Sequence, residues 1–147
     1  MKKWISLLLI VCMLCPMMAL ASNDVAVQIN GVPVQFDVPA QIIGDRTMVP
    51  MRKIFETFSA TVEWLAESQT IMATRGPLVM AMVIGKPVIS TFNIETGETK
   101  AIELDVPPCI VTGPEGGRTL VPVRAISESL GMTVDWDDVT RTVFITE

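Results

Sequence analysis

Residues 46–64 read RTMVPMRKIFETFSATVEW, and residues 118–136 read RTLVPVRAISESLGMTVDW, so one stretch of the chain returns 72 positions later. The ungapped match extends over residues 46–74 and 118–146, with 12 identical pairs among 29. Such a repeat indicates that one supersecondary unit occurs twice. To its structural core we assign ten residues, namely Arg46, Pro50, Arg52, Glu56 and Trp64 with their copies Arg118, Pro122, Arg124, Glu128 and Trp136.

Each copy is predicted to contain a helix followed by a β-hairpin. Pro50 suits the first turn of a helix, and apolar side chains follow at helical spacing, which predicts a helix over residues 50–58. Residues 61–64 and 69–74 then alternate as two strands. In the second copy, Gly131 follows the equivalent helix as a stop signal.

The remaining segments predict further strands. Asn30-Gly31 lies between two alternating runs and predicts a hairpin with a return strand over residues 32–37, whereas residues 41–45 and 113–117 are predicted as connections. Residues 78–84, 86–92 and 100–106 are also predicted strands, the first of them central because it is apolar on both faces. The predicted fold class is α+β, with two tandem repeats over residues 22–76 and 77–147, each an antiparallel β-sheet wrapped around one short α-helix and both packed as one domain.

The N-terminal 21 residues are predicted to be a secretory signal peptide. Lys2 and Lys3 precede an uncharged apolar run over residues 5–20, and Ala19 and Ala21 form a small-x-small cleavage site. We therefore expect a secreted or cell-envelope protein that starts at Ser22 and has no membrane span after cleavage. An uncleaved anchor is the alternative.

Charge and cysteine content narrow the possible partners. Without the signal, nine basic and sixteen acidic residues leave a net charge of −7, which argues against nucleic acid or an anionic membrane as a partner. Cys109 is then the single cysteine, which excludes an internal disulfide and a cysteine-based metal site. We expect it to pack as a small apolar residue, rather than act as a reactive thiol or form an intermolecular bridge.

The combined pattern resembles the copper amine oxidase N-terminal domain-like family of secreted bacterial proteins. The residues that carry the resemblance are Asn30, Gly31, Phe36, Asp37, Val38, Pro39, Gly44, Arg46, Thr47, Val49, Pro50, Arg52, Glu56 and residues 61–64, with residues 104–107, 117–119, 121, 122, 124, 128, 131 and 133–136 in the second copy. The second copy departs at its first hairpin, where a longer turn around Gly97 replaces Asn-Gly. The resemblance implies a small stalk domain of antiparallel strands around a helix, which is accessory and not catalytic.

The composition rejects the oxidase chemistry that the family's name suggests. The sequence has no histidine and no tyrosine. Copper in such oxidases needs imidazole ligands, and their quinone cofactor is made from a tyrosine. Histidine-based triads and the usual zinc sites are excluded as well. We therefore predict a protein that is not an enzyme and has no cofactor.

The repeated charged residues favour a structural role. Arg52 and Glu56 are spaced to pair on a helix, as are Arg124 and Glu128, while Arg46 and Arg118 can join an ion network. A hydrolase that uses Glu56, Glu128 or an acidic cluster at Asp135, Asp137 and Asp138 is the enzymatic alternative. The same cluster is a candidate calcium site, although a polar hairpin turn is favoured.

The two tryptophans are predicted to be buried, because Val62 and Val134 share their faces. The alternative is that Trp64 and Trp136 stack on sugar rings in an exposed groove. Met80 and Met82 are predicted to pack in the core instead of binding copper.

These observations predict a non-catalytic accessory module of the cell envelope for binding or structural interaction. Its expected partner is cell-wall polysaccharide, such as peptidoglycan, or another envelope protein. Function is expected where the copies differ, at residues 113–117 and the turn at Asp137, or in the surface between the copies.

Overall fold

The computed structural model describes residues 24–147, so the predicted signal peptide lies outside the described residues. In chain order the elements are β1 (Ala26–Ile29), β2 (Val32–Pro33), β3 (Gln41–Ile43), β4 (Arg46–Pro50), α1 (Met51–Thr57), β5 (Thr61–Leu65), β6 (Thr70–Arg75), β7 (Leu78–Val83), β8 (Val88–Asn93), β9 (Thr99–Glu103), β10 (Cys109–Gly113), β11 (Gly116–Pro122), α2 (Val123–Ser129), β12 (Thr133–Asp137) and β13 (Thr142–Thr146). The described chain is thus mostly β-structure with two short helices.

The strands of residues 24–147 form three sheets. Their strand orders are β12-β13-β1-β2, β10-β11-β4-β3 and β5-β6-β7-β8-β9. The predicted central position of β7 is confirmed, since it pairs with β6 on one side and β8 on the other. Met80 and Met82 on this strand are buried at about 1% exposure, which agrees with a packing role.

Three strand pairings cross the predicted boundary between residues 76 and 77, namely β1 with β13, β6 with β7 and β4 with β11. β1 pairs in parallel with β13, with Val27 opposite Val143, so this sheet is not purely antiparallel as predicted. β6 pairs with β7 across the boundary. The alternating pattern of a strand determines which face is buried but not the direction of its neighbour, so no sequence signal predicts the parallel pair.

The middle sheet brings equivalent positions of the two copies together. Val49 pairs with Val121, its own copy 72 positions later, and Met48 and Leu120 pair with Pro122 and Pro50. Val49 and Val121 belong to the main core, whereas Met48 and Leu120 pack with Val38 in a smaller cluster. Because successive residues of a strand point to opposite faces, this one pair of strands contributes to both clusters.

Both helices begin directly after the proline that ends a strand, so the helix predicted over residues 50–58 exists but starts after Pro50 instead of at it. Pro50 and Pro122 are the N-cap residues, and each helix is seven residues long. α1 buries Met51, Ile54 and Phe55, and α2 buries their counterparts. The position of Phe55 is occupied in α2 by Ser127, which is equally buried.

Arg75 connects the C-terminal ends of the two helices. Its Nε donates a 3.1 Å hydrogen bond to the carbonyl oxygen of Phe58, and its Nη1 donates a 3.2 Å bond to that of Leu130. These two residues are the C-caps of α1 and α2. Arg75 also forms an ion pair with Glu147. One guanidinium therefore satisfies carbonyls that the helices leave without an internal partner.

Three loop and strand predictions were wrong. Residues 41–45 and 113–117 were predicted as connections, but β3 and β10 form hairpins with β4 and β11 around two-residue turns. Their runs are too short to show alternation. The return strand predicted over residues 32–37 is paired over Val32–Pro33 alone. One further backbone hydrogen bond, from the N–H of Val34 to the carbonyl oxygen of Val27 at 2.9 Å, follows this pair.

Candidate functional site

The larger surface groove of the described residues contains Trp136. We call it the Trp136 groove, and its volume is about 1040 Å³. One wall comes from α2 and β12, with Arg124, Glu128 and Trp136. The other wall comes from distant parts of the chain, including Arg46 on β4 and Asp105 after β9. Residues from both copies of the repeat thus build one groove.

A second groove has Trp64 in its lining. We call it the Trp64 groove, and its volume is about 670 Å³. Arg52 and Glu56 on α1 line it together with Trp64 on β5, and Arg118 and Asp37 line it from elsewhere in the chain. No residue that lines this groove also lines the Trp136 groove.

Each of the 13 residues that line the Trp64 groove has a counterpart in the Trp136 groove. Nine pairs are related by the offset of 72 positions. Three more pairs, at residues 35–37 and 103–105, are matched by the Asp-Val-Pro motif that begins at Asp37 and again at Asp105. The last pair is Ile110 and Ile42, which occupy the same pairing position opposite Thr119 and Thr47. The two grooves are therefore built from matching parts.

All ten residues that the sequence singled out as a repeated core line one of these grooves. Arg46, Pro122, Arg124, Glu128 and Trp136 line the Trp136 groove, and Pro50, Arg52, Glu56, Trp64 and Arg118 line the Trp64 groove. Pro50 and Pro122 are buried, whereas the charged and aromatic members are exposed or half-buried.

The burial predicted for the tryptophans is wrong. Trp64 keeps 39% of its surface exposed, and Trp136 keeps 36%. Both lie on edge strands, β5 and β12, so a neighbouring strand covers them on one side only. On β12 the alternating pattern correctly places Val134 in the core. Trp136, on the same face two residues later, is already beyond the core and lines the groove.

Each groove has an arginine from one copy that is paired with the aspartate of the other copy. Arg46 donates through Nε to Asp105 Oδ2 at 2.8 Å, and Arg118 Nε lies 2.5 Å from Asp37 Oδ2. The hydrogen bond from Arg118 is the main cause that lowers the pKa of Asp37 below its ordinary value. The expected ion network around Arg46 and Arg118 therefore exists, and it fixes one wall of each groove.

The lowered pKa of Asp37 predicts a loss of stability in acid. A carboxyl whose pKa is lower in the folded state stabilises the fold above its unfolded pKa of about 3.9, and this contribution disappears as the pH falls through the folded pKa. We expect Asp37→Asn to remove part of the decrease in unfolding free energy between about pH 5 and pH 2.5. Urea unfolding at several pH values measures this decrease.

The control for that measurement is Asp24→Asn, because Asp24 is exposed and has no ion pair within residues 24–147. This variant should keep the acid dependence of the unaltered protein. If Asp37→Asn and the unaltered protein lose equal stability on acidification, the pair with Arg118 does not contribute.

The Trp136 groove holds its side chains in place more firmly than the Trp64 groove does. The indole Nε1 of Trp136 donates a 3.4 Å hydrogen bond to Asp138 Oδ1, and Arg124 Nη1 donates to the carbonyl oxygen of Val134 at 3.0 Å. Position 66, equivalent to Asp138, is alanine, and Arg52 has no hydrogen bond or ion pair within residues 24–147.

The i,i+4 ion pairs predicted on the helices occur in one copy. Arg124 lies 3.3 Å from Glu128, whereas the equivalent pair of Arg52 and Glu56 is not formed in the described chain. Glu56 and Glu128 lie in different grooves, so they do not form an acid pair across one cleft. A glycosidase needs its two carboxyl groups within about 10 Å of each other around the bond that is cleaved.

The acidic turn is organised by its own backbone. Asp137 accepts hydrogen bonds from the N–H groups of Val139 at 2.9 Å and Thr140 at 3.3 Å. These bonds, that of Thr140 first, lower the pKa of Asp137. Within residues 24–147 no three histidine, cysteine or acidic residues are grouped so as to hold a metal ion.

Cys109 is half-buried beside the smaller cluster of Val38, Met48 and Leu120. Burial raises the pKa of its thiol. A raised pKa lowers the fraction of nucleophilic thiolate at neutral pH. The position thus agrees with the predicted packing role.

Some groove residues were not singled out by the sequence as site residues. Asp37 and Asp105 were named only among the residues that carry the family resemblance, although the recurrence of Asp-Val-Pro was a usable signal. Ile42 and Ile110 could not be matched by the offset of 72, because Ile42 lies four residues before Arg46 whereas Ile110 lies eight residues before Arg118. The pairing opposite Thr47 and Thr119 makes them equivalent.

Neither helix in residues 24–147 has the length and apolar character that a membrane span requires. A family model described as the copper amine oxidase N-terminal domain matches residues 28–145. No curated protein and no solved structure matches the chain.

Proposed function

Because the chain belongs to the copper amine oxidase N-terminal domain family, whose domain is not the catalytic part of those oxidases, we propose that it is a non-catalytic accessory module that works by binding. We place it at the bacterial cell envelope, with the signal peptide removed after Ala21. The observation that carries the binding role is the Trp136 groove, in which an exposed indole lies beside a row of charged side chains.

The composition supports a role without chemistry. The sequence contains no histidine and no tyrosine, so the ligands and the cofactor precursor of a copper amine oxidase are missing from it. Separation of Glu56 from Glu128 also weighs against the hydrolase alternative.

The ligand that we assign to the Trp136 groove is the neutral, N-acetylated glycan backbone of peptidoglycan. Indole rings combine a broad apolar face with one polar group, which suits the apolar face of a sugar ring and its hydroxyl rim. Among the charged residues of the groove, four are basic and seven are acidic, for a net charge of −3. Such a groove repels anionic polymers and favours a neutral strand.

The shape and rigidity of this groove agree with an extended ligand. Its volume of about 1040 Å³ slightly exceeds the range of about 300–1,000 Å³ for sites that enclose one small molecule. Asp138 holds the indole of Trp136, and Val134 and Glu128 hold the guanidinium of Arg124. Side chains that are already ordered lose less conformational entropy when a ligand binds.

We also infer that the fold is an internal duplication of two repeats that exchange strands. The pairing of Val49 with Val121, the two helices at equivalent positions and the matched linings of the two grooves support this proposal. The assignment of residues 22–76 to the first repeat and residues 77–147 to the second remains a prediction.

The binding role predicts that purified protein sediments with isolated peptidoglycan sacculi. Trp136→Ala should weaken this binding by at least about tenfold, because a central aromatic contact is typically worth more than about 1.4 kcal/mol. Bound and free protein are measured in a co-sedimentation titration.

The matched control is Phe92→Ala, since Phe92 is an exposed aromatic residue that lies outside both grooves. It should bind as the unaltered protein does. If the unaltered protein stays in the supernatant at every amount of sacculi, the proposed ligand is wrong.

A further inference from the structure

The Trp64 groove repeats the parts of the Trp136 groove on a separate surface. Trp64, Arg52 and Glu56 occupy the positions of Trp136, Arg124 and Glu128, and Arg118 occupies the position of Arg46. We propose that the Trp64 groove is a second glycan-binding site, so that one molecule bridges two polysaccharide strands. This inference rests on the function proposed for the Trp136 groove.

Two matching features make the Trp64 groove a built site. The indole of Trp64 is 39% exposed, at least as much as that of Trp136. The opposite wall is fixed by Arg118, which contacts Asp37 at 2.5 Å and Glu115 at 3.4 Å. An exposed ring in one wall and a held guanidinium in the other reproduce the arrangement of the first groove.

The charges of the two grooves select the kind of ligand that both can hold. Three basic and two acidic residues line the Trp64 groove, for a net charge of +1, against −3 in the Trp136 groove. An anionic polymer is repelled by the Trp136 groove, and a cationic one is repelled by the Trp64 groove. A neutral polysaccharide is the ligand class that neither groove repels.

The two sites should differ in affinity. The residue equivalent to Asp138 is Ala66, whose side chain cannot accept a hydrogen bond from the indole of Trp64. Arg52 also lacks the hydrogen bonds that hold Arg124. A polysaccharide chain that binds the Trp64 groove must therefore order the side chains of Trp64 and Arg52, which costs conformational entropy. We expect the Trp64 groove to be the weaker site.

The two grooves have separate linings. They share no lining residue, and each helix packs against the central strand of the other copy, α1 on β11 and α2 on β4. Because the linings are separate, we expect a polysaccharide strand in the first groove to leave the second groove open. This separation allows two strands to be held at once.

Native mass spectrometry with chitohexaose, a soluble and neutral N-acetylated oligosaccharide, counts the sites. We expect the unaltered protein to form complexes with one and then two ligands. Trp64→Leu and Trp136→Leu should each stop at one ligand, and the double variant should bind none. Leucine is chosen because it keeps an apolar side chain on β5 or β12. Trp64→Phe is the control: it keeps an aromatic ring, so it should still form the complex with two ligands.

The outcomes separate this inference from the function on which it rests. If the unaltered protein binds one chitohexaose and Trp64→Leu binds it equally well, the second site is wrong while the first stands. If Trp136→Leu removes all binding, the second site is also wrong. If the unaltered protein binds none, both proposals fail.

Discussion

Replacing Phe55 with alanine is expected to lower the free energy of unfolding by about 3–5 kcal/mol, the usual cost of removing a buried phenylalanine ring. Phe55 lies on α1 with 0% of its surface exposed, inside the main core. The position has no equivalent ring in the second copy, where Ser127 is buried. The phenyl ring of Phe55 thus fills core space that Ser127 does not fill from the other copy. We expect the loss of this ring to leave a cavity.

Urea unfolding followed by circular dichroism measures this effect. Phe92→Ala is the control, because Phe92 is 44% exposed on β8 and should change the free energy by no more than about 0.5 kcal/mol. A loss below about 1 kcal/mol for Phe55→Ala would show that the core collapses around the missing ring.

Replacing Arg75 with methionine is expected to lower the free energy of unfolding by about 2–3 kcal/mol, since hydrogen bonds from a charged group contribute about 1.5–3 kcal/mol each. Arg75 donates to the C-cap carbonyls of both helices, at Phe58 and Leu130. Its positive charge also lies at the negative ends of both helix dipoles. Methionine keeps most of the apolar stem but leaves both carbonyls without this donor.

Arg52→Met controls for the loss of an arginine. Arg52 is exposed on α1 and makes no hydrogen bond or ion pair within residues 24–147, so its replacement should have an effect of about 0.5 kcal/mol or less. Equal losses for the two variants would mean that Arg75 does not act through the helix ends. Both are compared at one pH and one salt concentration, because charge interactions are screened by salt.

Arg75, Arg46 and Arg118 show how the two copies of the repeat depend on each other. Arg75 belongs to the first copy, yet it contacts the C-cap of the helix in each copy and pairs with Glu147, the residue at its own equivalent position. Arg46 and Arg118 likewise pair with the aspartates of the opposite copy. We expect a single copy to lack the partners that hold its groove and its helix end.

The sequence by itself determined the local elements well. A proline before an apolar helical pattern correctly predicted both helices. The fixed φ of proline suits a helix start, and the i, i+3 and i+4 spacing places the apolar side chains on one face of the helix. Asn30-Gly31 correctly placed a two-residue turn, since both residues adopt positive φ there. These signals are short-range, so a single stretch of chain contains them.

Tertiary structure alone decided the parallel pairing of β1 with β13 and the exposure of the tryptophans. The period of a strand does not encode its partner, and Trp64 or Trp136 is covered or uncovered by segments far away in the sequence. For the same reason the repeated string looked structural, although its charged and aromatic residues line two grooves. Repetition identified ten residues, whereas the tertiary structure decided that the charged and aromatic ones among them lie at the surface in two grooves and not in the core.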